Sequence, residues 1–129
     1  MSATKITYSL PIPDETLKDL WKKEQIELRQ KLVLTDDLSD IQLNFQGQVE
    51  GLRLVGGVDL SFPTDNDRLA LAGLVILEYP SLKVIYEDFQ EVEVDLPYIP
   101  GFLAFREVKV LLGLVQQLRL NRPELLPQV

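Results

Sequence analysis

With 129 residues, 46% of them hydrophobic, the chain is long enough for one compact domain and too short for two. It has no histidine and no cysteine, which excludes a Ser-His-Asp triad, a thiol nucleophile and a typical zinc site. The net charge of −7 argues against strong binding to a phosphate backbone, unless basic surface lies elsewhere or bound metal offsets the carboxylates.

No secretory signal follows Met1, and the most apolar run is shorter than the roughly 20 residues that cross a bilayer. We therefore expect an intracellular protein, cytoplasmic or nuclear, without a membrane partner. Residues 1–14 contain two prolines and are predicted to be a lead-in, so that residues 15–129 form the single domain.

The first predicted element is an amphipathic helix from about residue 15 to residue 34. Thr16 and Asp19 form a capping-box pattern. Apolar residues recur at helical spacing: Leu17, Leu20, Trp21, Leu28 and Leu32. The basic residues of this segment either face phosphates or form a solvated face with its acidic residues, and the pattern favours the solvated face.

Three strands are predicted after a polar, irregular stretch from residue 35 to residue 51. The first spans about 52–62 and contains two adjacent glycines, the second spans 68–79, and the third spans 83–96. In the third, Val92, Val94 and Leu96 alternate with acidic residues, which is typical of a strand with one face on a core. Short turns connect the strands, so we predict an antiparallel meander.

A second helix is predicted from Phe102 to about Leu120, because the hydrophobic period changes after the proline-rich break at 97–101. Its apolar stripe is predicted to hold Leu103, Leu111, Leu114 and Leu118. Arg106 and Lys109 are predicted to lie mostly on the opposite side. Residues 125–129 resemble the approach to another strand.

Two carboxylates occupy unexpected positions. Asp59 lies in an otherwise apolar strand suited to a sheet interior, and Glu107 lies on the stripe of the second helix that should face the core. A buried carboxylate costs several kcal/mol unless a partner compensates it. A salt bridge to Arg53, Arg68 or Arg106, or simple exposure, would explain either one.

Both carboxylates together favour another explanation. If the helix folds back over the strands, Asp59 and Glu107 can converge on one divalent cation. Carboxylate oxygens suit Mg²⁺ or Mn²⁺, and such an ion supports phosphodiester hydrolysis.

Two segments closely resemble the endonuclease V family: Val55-Gly56-Gly57-Val58-Asp59-Leu60-Ser61-Phe62, and Pro97-Tyr98-Ile99-Pro100-Gly101-Phe102-Leu103-Ala104-Phe105-Arg106-Glu107. The resemblance extends over nearly all of the chain after its first dozen residues. It implies an α/β chain with an incomplete ribonuclease H-like fold, consisting of an N-terminal helix, a three-stranded antiparallel meander and a helix packed on the sheet. It also implies an endonuclease that cuts near inosine or deoxyinosine with Mg²⁺ or Mn²⁺.

By this resemblance Asp59 and Glu107 are catalytic metal ligands. Pro97, Tyr98, Ile99 and Pro100 match a wedge that fills the space left by a turned-out base, with Tyr98 as the aromatic stacker. An inserted apolar group partly offsets the unstacking energy. Gly101 and Leu103 would help form the base pocket. Without the resemblance, the same residues are explained by a rigid turn between strand and helix.

The family has a further strand with a Val-Asp-Gly-x-Gly motif, whose aspartate is another metal ligand, and this motif is absent before Val129. We therefore expect this chain alone to be poorly stable and weakly active or inactive. Its first strand would be an open edge unless a partner chain or the Pro127-Gln128-Val129 tail covers it. The expected nucleic-acid partner is single-stranded RNA or DNA that contains inosine. The alternatives are a non-catalytic truncated isoform that binds nucleic acid or a partner chain, and an unrelated acidic interaction module.

Overall fold

The computed structural model describes residues 14–36, 40–66 and 68–129. The predicted lead-in, apart from Asp14, lies outside these residues. Helix α1 spans Asp14–Arg29 and ends earlier than predicted. Only Leu17 and Trp21 are buried in it, whereas Leu28 and Leu32 of the predicted apolar stripe are 50% and 63% exposed. The helix therefore ends where its apolar side chains have no surface to pack against.

A small hairpin occupies part of the segment predicted to be irregular. Strand β1 (Gln42–Leu43) pairs antiparallel with β2 (Val49–Glu50). The Asn44 side chain organises the turn, because its Oδ1 accepts hydrogen bonds from the backbone N–H groups of Gln46 and Gln48. Such side chain-to-backbone hydrogen bonds stabilise the turn of a hairpin whose strands form only two residue pairs.

The main sheet contains β3 (Leu54–Ser61), β4 (Leu69–Glu78) and β5 (Val84–Glu93) in the order β3-β4-β5. Both pairings are antiparallel, which confirms the predicted meander. Each strand is shorter than predicted by a few residues at its ends. The register places Asp59 opposite Gly73, and Gly73 opposite Phe89.

Helix α2 (Leu103–Asn121) covers one face of this sheet. Four even-numbered residues of β4, Ala70, Ala72, Leu74 and Ile76, point to that face and are almost fully buried, with 0% exposure for Ala72 and Ile76. They form one core with Leu54 and Leu60 of β3 and with buried residues of the helix. Alternation of side chains along a strand therefore leaves the odd-numbered residues on the opposite face.

The buried stripe of α2 differs from the predicted one. Leu114 and Leu118 are buried as expected, but Leu103 is 45% exposed and Glu107 is only partly buried. Arg106, predicted to lie on the outer side, is 7% exposed, with its guanidinium carbon 4.4 Å from the centre of the Phe62 ring. A long side chain can bury its apolar stem and place its charge over an aromatic face, so Arg106 takes the core position expected for Glu107.

After α2, a 3₁₀ turn (Pro123–Leu125) directs the chain back to the free edge of β3. The Gln128 N–H donates to the Leu54 carbonyl at 3.1 Å, and the Gly56 N–H donates to the Val129 carbonyl at 2.8 Å. The Gln128 side chain adds a bond from its Nε2 to the Gly51 carbonyl at 2.8 Å. The tail thus follows β3 in the parallel direction and covers the beginning of the edge.

In the described part of the chain, neither α-helix combines the length and the apolar character needed to cross a membrane.

Candidate functional site

Asp59 lies in β3, on the sheet face that α2 does not cover. It shares a cross-strand row with Gly73 and Phe89, and the Phe89 ring lies so close over Gly73 that a Cβ there would be 2.9 Å from it. These residues, with Gly57 and Val75 among others, line an open depression of about 300 Å³. The Asp59 side chain is therefore accessible to an ion or a ligand from solvent.

Asp59 is not buried in the sheet, and simple exposure, one of the two explanations left open for Asp59 alone, describes it in this structure. The residue is exposed, because β3 is an edge strand of the main sheet and its odd-numbered face is open around Asp59. The Oδ1 atom accepts a hydrogen bond from the backbone N–H of Leu60 at 2.9 Å. This bond holds the carboxylate close to the edge of the strand.

Glu107 follows Arg106 in α2. The contact between Arg106 and Phe62 places the start of α2 beside the end of β3, and the tail after α2 returns to Leu54 at the beginning of β3. Helix α2 therefore runs antiparallel to β3. Glu107 and Asp59 lie toward the same end of the sheet, but Asp59 is on the face opposite to the helix.

The structure does not bring the predicted ligands into a complete cluster. Within the residues that it describes, no group of three or more His, Cys, Asp or Glu side chains is arranged to hold a metal ion. Asp59 and Glu107 supply carboxylate oxygens, which suit a hard cation. Mg²⁺ in proteins is often held by one or two carboxylates together with substrate phosphates, so each of these two residues fits it in donor chemistry.

The four residues of the predicted wedge have different environments. Tyr98 is 61% exposed, and Pro100 is also exposed, whereas Ile99 is only 8% exposed and Pro97 is partly buried. The segment therefore presents an aromatic ring to solvent while Ile99 anchors it to the protein. After it, Gly101 has φ +87°, a conformation that glycine adopts without strain, and leads into α2.

Ile99 belongs to a second core, which is not predicted from the sequence. It packs with Leu17, Trp21 and Phe102, and Leu96 and Phe105 border this cluster. The sequence contains one signal for this second core. It has a single tryptophan, and two phenylalanines are spaced by three residues at the start of α2.

A family model described as Endonuclease V matches residues 28–127 of the chain. Endonuclease V of Mus musculus is 47% identical over 117 residues, which cover 91% of this chain and 33% of the mouse protein. The crystal structure of the catalytic domain of human Endonuclease V aligns with a TM-score of 0.76 and 46% identity, over 90% of this chain and 46% of that chain.

Ciona intestinalis Endonuclease V, in complex with a 23mer DNA containing an inosine followed by a ribo-adenosine, aligns with a TM-score of 0.73 and 34% identity, over 90% of this chain and 44% of that chain. The chain thus spans less than half the length of these relatives. Their structures agree with the predicted α/β class and with an incomplete ribonuclease H-like arrangement of helix, meander and helix.

Proposed function

This chain belongs to the endonuclease V family, and we propose that it contributes to an endonuclease that hydrolyses a phosphodiester bond near inosine or deoxyinosine in single-stranded RNA or DNA. The family match over residues 28–127, which includes both motif segments, carries this proposal. The inosine-containing DNA bound by the Ciona relative supports the choice of substrate.

Asp59 and Glu107 are the proposed metal-binding and catalytic carboxylates, with Mg²⁺ or Mn²⁺ as the ion. A divalent ion, when bound, would polarise the phosphate and lower the pKa of a water. The accessibility of Asp59 in its open depression and the partial exposure of Glu107 support this role.

In the proposed wedge, Tyr98 stacks against the bases beside the lesion, and Pro97, Ile99 and Pro100 shape the segment. The support is the combination of an exposed aromatic ring and a buried neighbour, which keeps the ring presented to solvent. Gly101 and Leu103 are the proposed contacts of the turned-out base, and the 45% exposure of Leu103 leaves apolar surface for it. Stacking on an aromatic side chain contributes about 1–3 kcal/mol per base.

The open part of the β3 edge is the proposed contact site of a partner chain, which would add a strand there. Gly56 already bonds to Val129, and the alternation of an antiparallel strand directs the backbone groups of Val58 to the same side. We propose an intracellular location, cytoplasmic or nuclear, where such nucleic acids occur.

A second candidate is a non-catalytic chain that binds inosine-containing nucleic acid, or a partner chain, without cutting. The observation that favours it is that the described residues contain no cluster of three metal-binding side chains. In this case the wedge functions in binding and the carboxylates do not.

Metal titration tests the proposed ligands. Mn²⁺ binding is measured by electron paramagnetic resonance for the full chain, Asp59→Ala, Glu107→Ala and the double variant. If both carboxylates hold one ion, each single change weakens binding and the second change adds little, because the two effects are not independent. Glu91→Ala removes an exposed carboxylate from β5 and serves as the control. Additive losses would indicate two separate sites and contradict the shared ion.

Cleavage separates the two candidate functions. Oligonucleotides with inosine or guanosine at one position, as RNA and as DNA, are incubated with the chain and Mg²⁺. We expect weak cleavage near inosine that Asp59→Ala and Glu107→Ala abolish, whereas inosine-selective binding without cleavage supports the second candidate. Equal cleavage by all three proteins would disprove the assigned roles, and no inosine preference in either assay would disprove both functions.

A further inference from the structure

We propose that α1 is a brace for the loop of residues 96–102, with Trp21 and Gln25 as positioning residues that hold Tyr98 in its exposed position. The proposal deepens the function described above and rests on it for the role of Tyr98. Trp21 and Gln25 precede the segment that the family model matches, which begins at residue 28.

The burial of α1 shows which surface it stabilises. Its two buried residues, Leu17 and Trp21, are each 1% exposed, and both belong to the cluster with Ile99 and Phe102. Neither belongs to the core between α2 and the sheet. The packing of α1 is therefore directed at this loop and at the first turn of α2.

Three aromatic rings fix the point at which the loop enters α2. The Trp21 ring stacks on Phe105 with 5.2 Å between the ring centres and 15° between the planes. The centre of the Phe102 ring is 6.1 Å from the centre of the Trp21 ring and 6.1 Å from the centre of the Phe105 ring. Offset or tilted rings at these separations attract one another beyond simple burial. The same contacts orient the turn of α2 that leads to Glu107.

Gln25 adds a polar contact on the outer side of the same loop. Its side-chain Nε2 donates a hydrogen bond to the Gly101 carbonyl at 3.3 Å. Within the loop, the Phe102 N–H donates to the Ile99 carbonyl at 3.0 Å. The backbone that follows Tyr98 is thus held by buried Ile99, by this internal bond and by Gln25.

The physical benefit is preorganisation. A loop that is already in its binding conformation loses less conformational entropy when it contacts a ligand. Because the Gln25 bond is exposed, its removal should loosen the loop without unfolding the sheet. A variant without the Gln25 side chain can therefore distinguish an effect on the position of the loop from an effect on the stability of the whole domain.

Hydrogen exchange tests the brace in the absence of any nucleic acid. In Gln25→Ala, we expect the amide of Phe102 to exchange roughly 5-fold faster, which corresponds to the loss of one ordinary hydrogen bond. The amides of β4 should be unchanged. Gln25→Lys keeps a donor and should restore slow exchange, whereas Gln30→Ala, which removes an exposed glutamine beyond the end of α1, is the control. Unchanged Phe102 exchange in Gln25→Ala would overturn the brace.

Binding then tests the link to Tyr98. The affinities of the full chain for inosine and guanosine oligonucleotides are compared in Gln25→Ala, Tyr98→Ala and the double variant. We expect Gln25→Ala to lower the inosine preference several-fold, and to have no further effect when Tyr98 is already replaced. An equal effect in both backgrounds would overturn the positioning role. If the parent chain shows no inosine preference at all, the proposed function and the link to Tyr98 fail, and the exchange result still decides whether α1 braces the loop.

Discussion

Single residues decide the local environment of the candidate site. Arg106 and Glu107 are neighbours in α2, yet the arginine is 7% exposed and the glutamate is only partly buried. One specific partner of the arginine is the Phe62 ring, which lies directly after β3. A cation desolvated over an aromatic ring is stabilised where an unpaired carboxylate would not be. This contact also fixes the start of α2 relative to the strand that carries Asp59.

Replacement of Arg106 should therefore affect stability. In Arg106→Ala the buried stem and the charge over the Phe62 ring are both lost, and we expect the free energy of unfolding to decrease by about 2 kcal/mol. Lys109→Ala removes an exposed cation from the same helix and should change the free energy of unfolding by less than about 0.5 kcal/mol. Urea unfolding measures both, and similar values for the two variants would contradict the role of the Phe62 contact.

The adjacent glycines of β3 are also distinguished by their neighbours. A Cβ at Gly56 would lie 2.8 Å from Pro127 Cγ and 3.2 Å from Ile76 Cδ1, whereas a Cβ at Gly57 meets no atom within 4 Å. We expect Gly56→Ala to displace the tail and to speed exchange of the Gln128 amide. Gly57→Ala should leave that amide unchanged and stabilise the strand by about 0.5 kcal/mol. Equal exchange in the two variants would show that the tail does not depend on this close approach.

At the scale of elements, the two helices have different partners. Helix α2 covers one face of the sheet with Leu114 and Leu118, whereas α1 packs on the loop before α2. The sheet core therefore provides the main tertiary support of β3–β5, and the second cluster provides the support of the loop with Tyr98. A change in one cluster should leave the other largely intact.

The packing of α2 on the sheet can be measured with two leucines. Leu118 is 0% exposed and Leu120 is 78% exposed on the same helix. Leu118→Ala should lower the free energy of unfolding by about 2–5 kcal/mol, because it leaves a cavity in the core. Leu120→Ala should change it by less than about 0.5 kcal/mol. A small effect of Leu118→Ala in denaturant unfolding would mean that α2 is not held on the sheet as described.

For the molecule as a whole, the principal feature is that the residues described by the structure cover the main sheet incompletely. The tail pairs with β3 only as far as Gly56, and Val58 farther along the edge is 44% exposed. On the odd-numbered face, Leu71 and Phe89 are 46% and 54% exposed. Open strand edges and apolar faces promote association between chains.

We therefore expect the isolated chain to self-associate through the β3 edge. Val58→Lys places a charge on that edge and should reduce the association measured by sedimentation velocity. Val108→Lys introduces the same charge at an exposed valine of α2, which is not part of a strand, and should have little effect. If both variants reduce association equally, general surface hydrophobicity and not strand pairing is the cause.

The sequence by itself determined the order of the two helices and the three main strands, the antiparallel meander and the family, because periodicity, short turns and the two motif segments are local properties of the chain. It did not determine which face Asp59 occupies, that Arg106 and not Glu107 is buried, or that α1 packs on the loop. Those features depend on where Phe62, the Phe89 ring and the Trp21 cluster lie in three dimensions. Asp59 and Glu107 occupy sequence positions that are typical of a core, whereas tertiary packing leaves Asp59 exposed and Glu107 partly exposed.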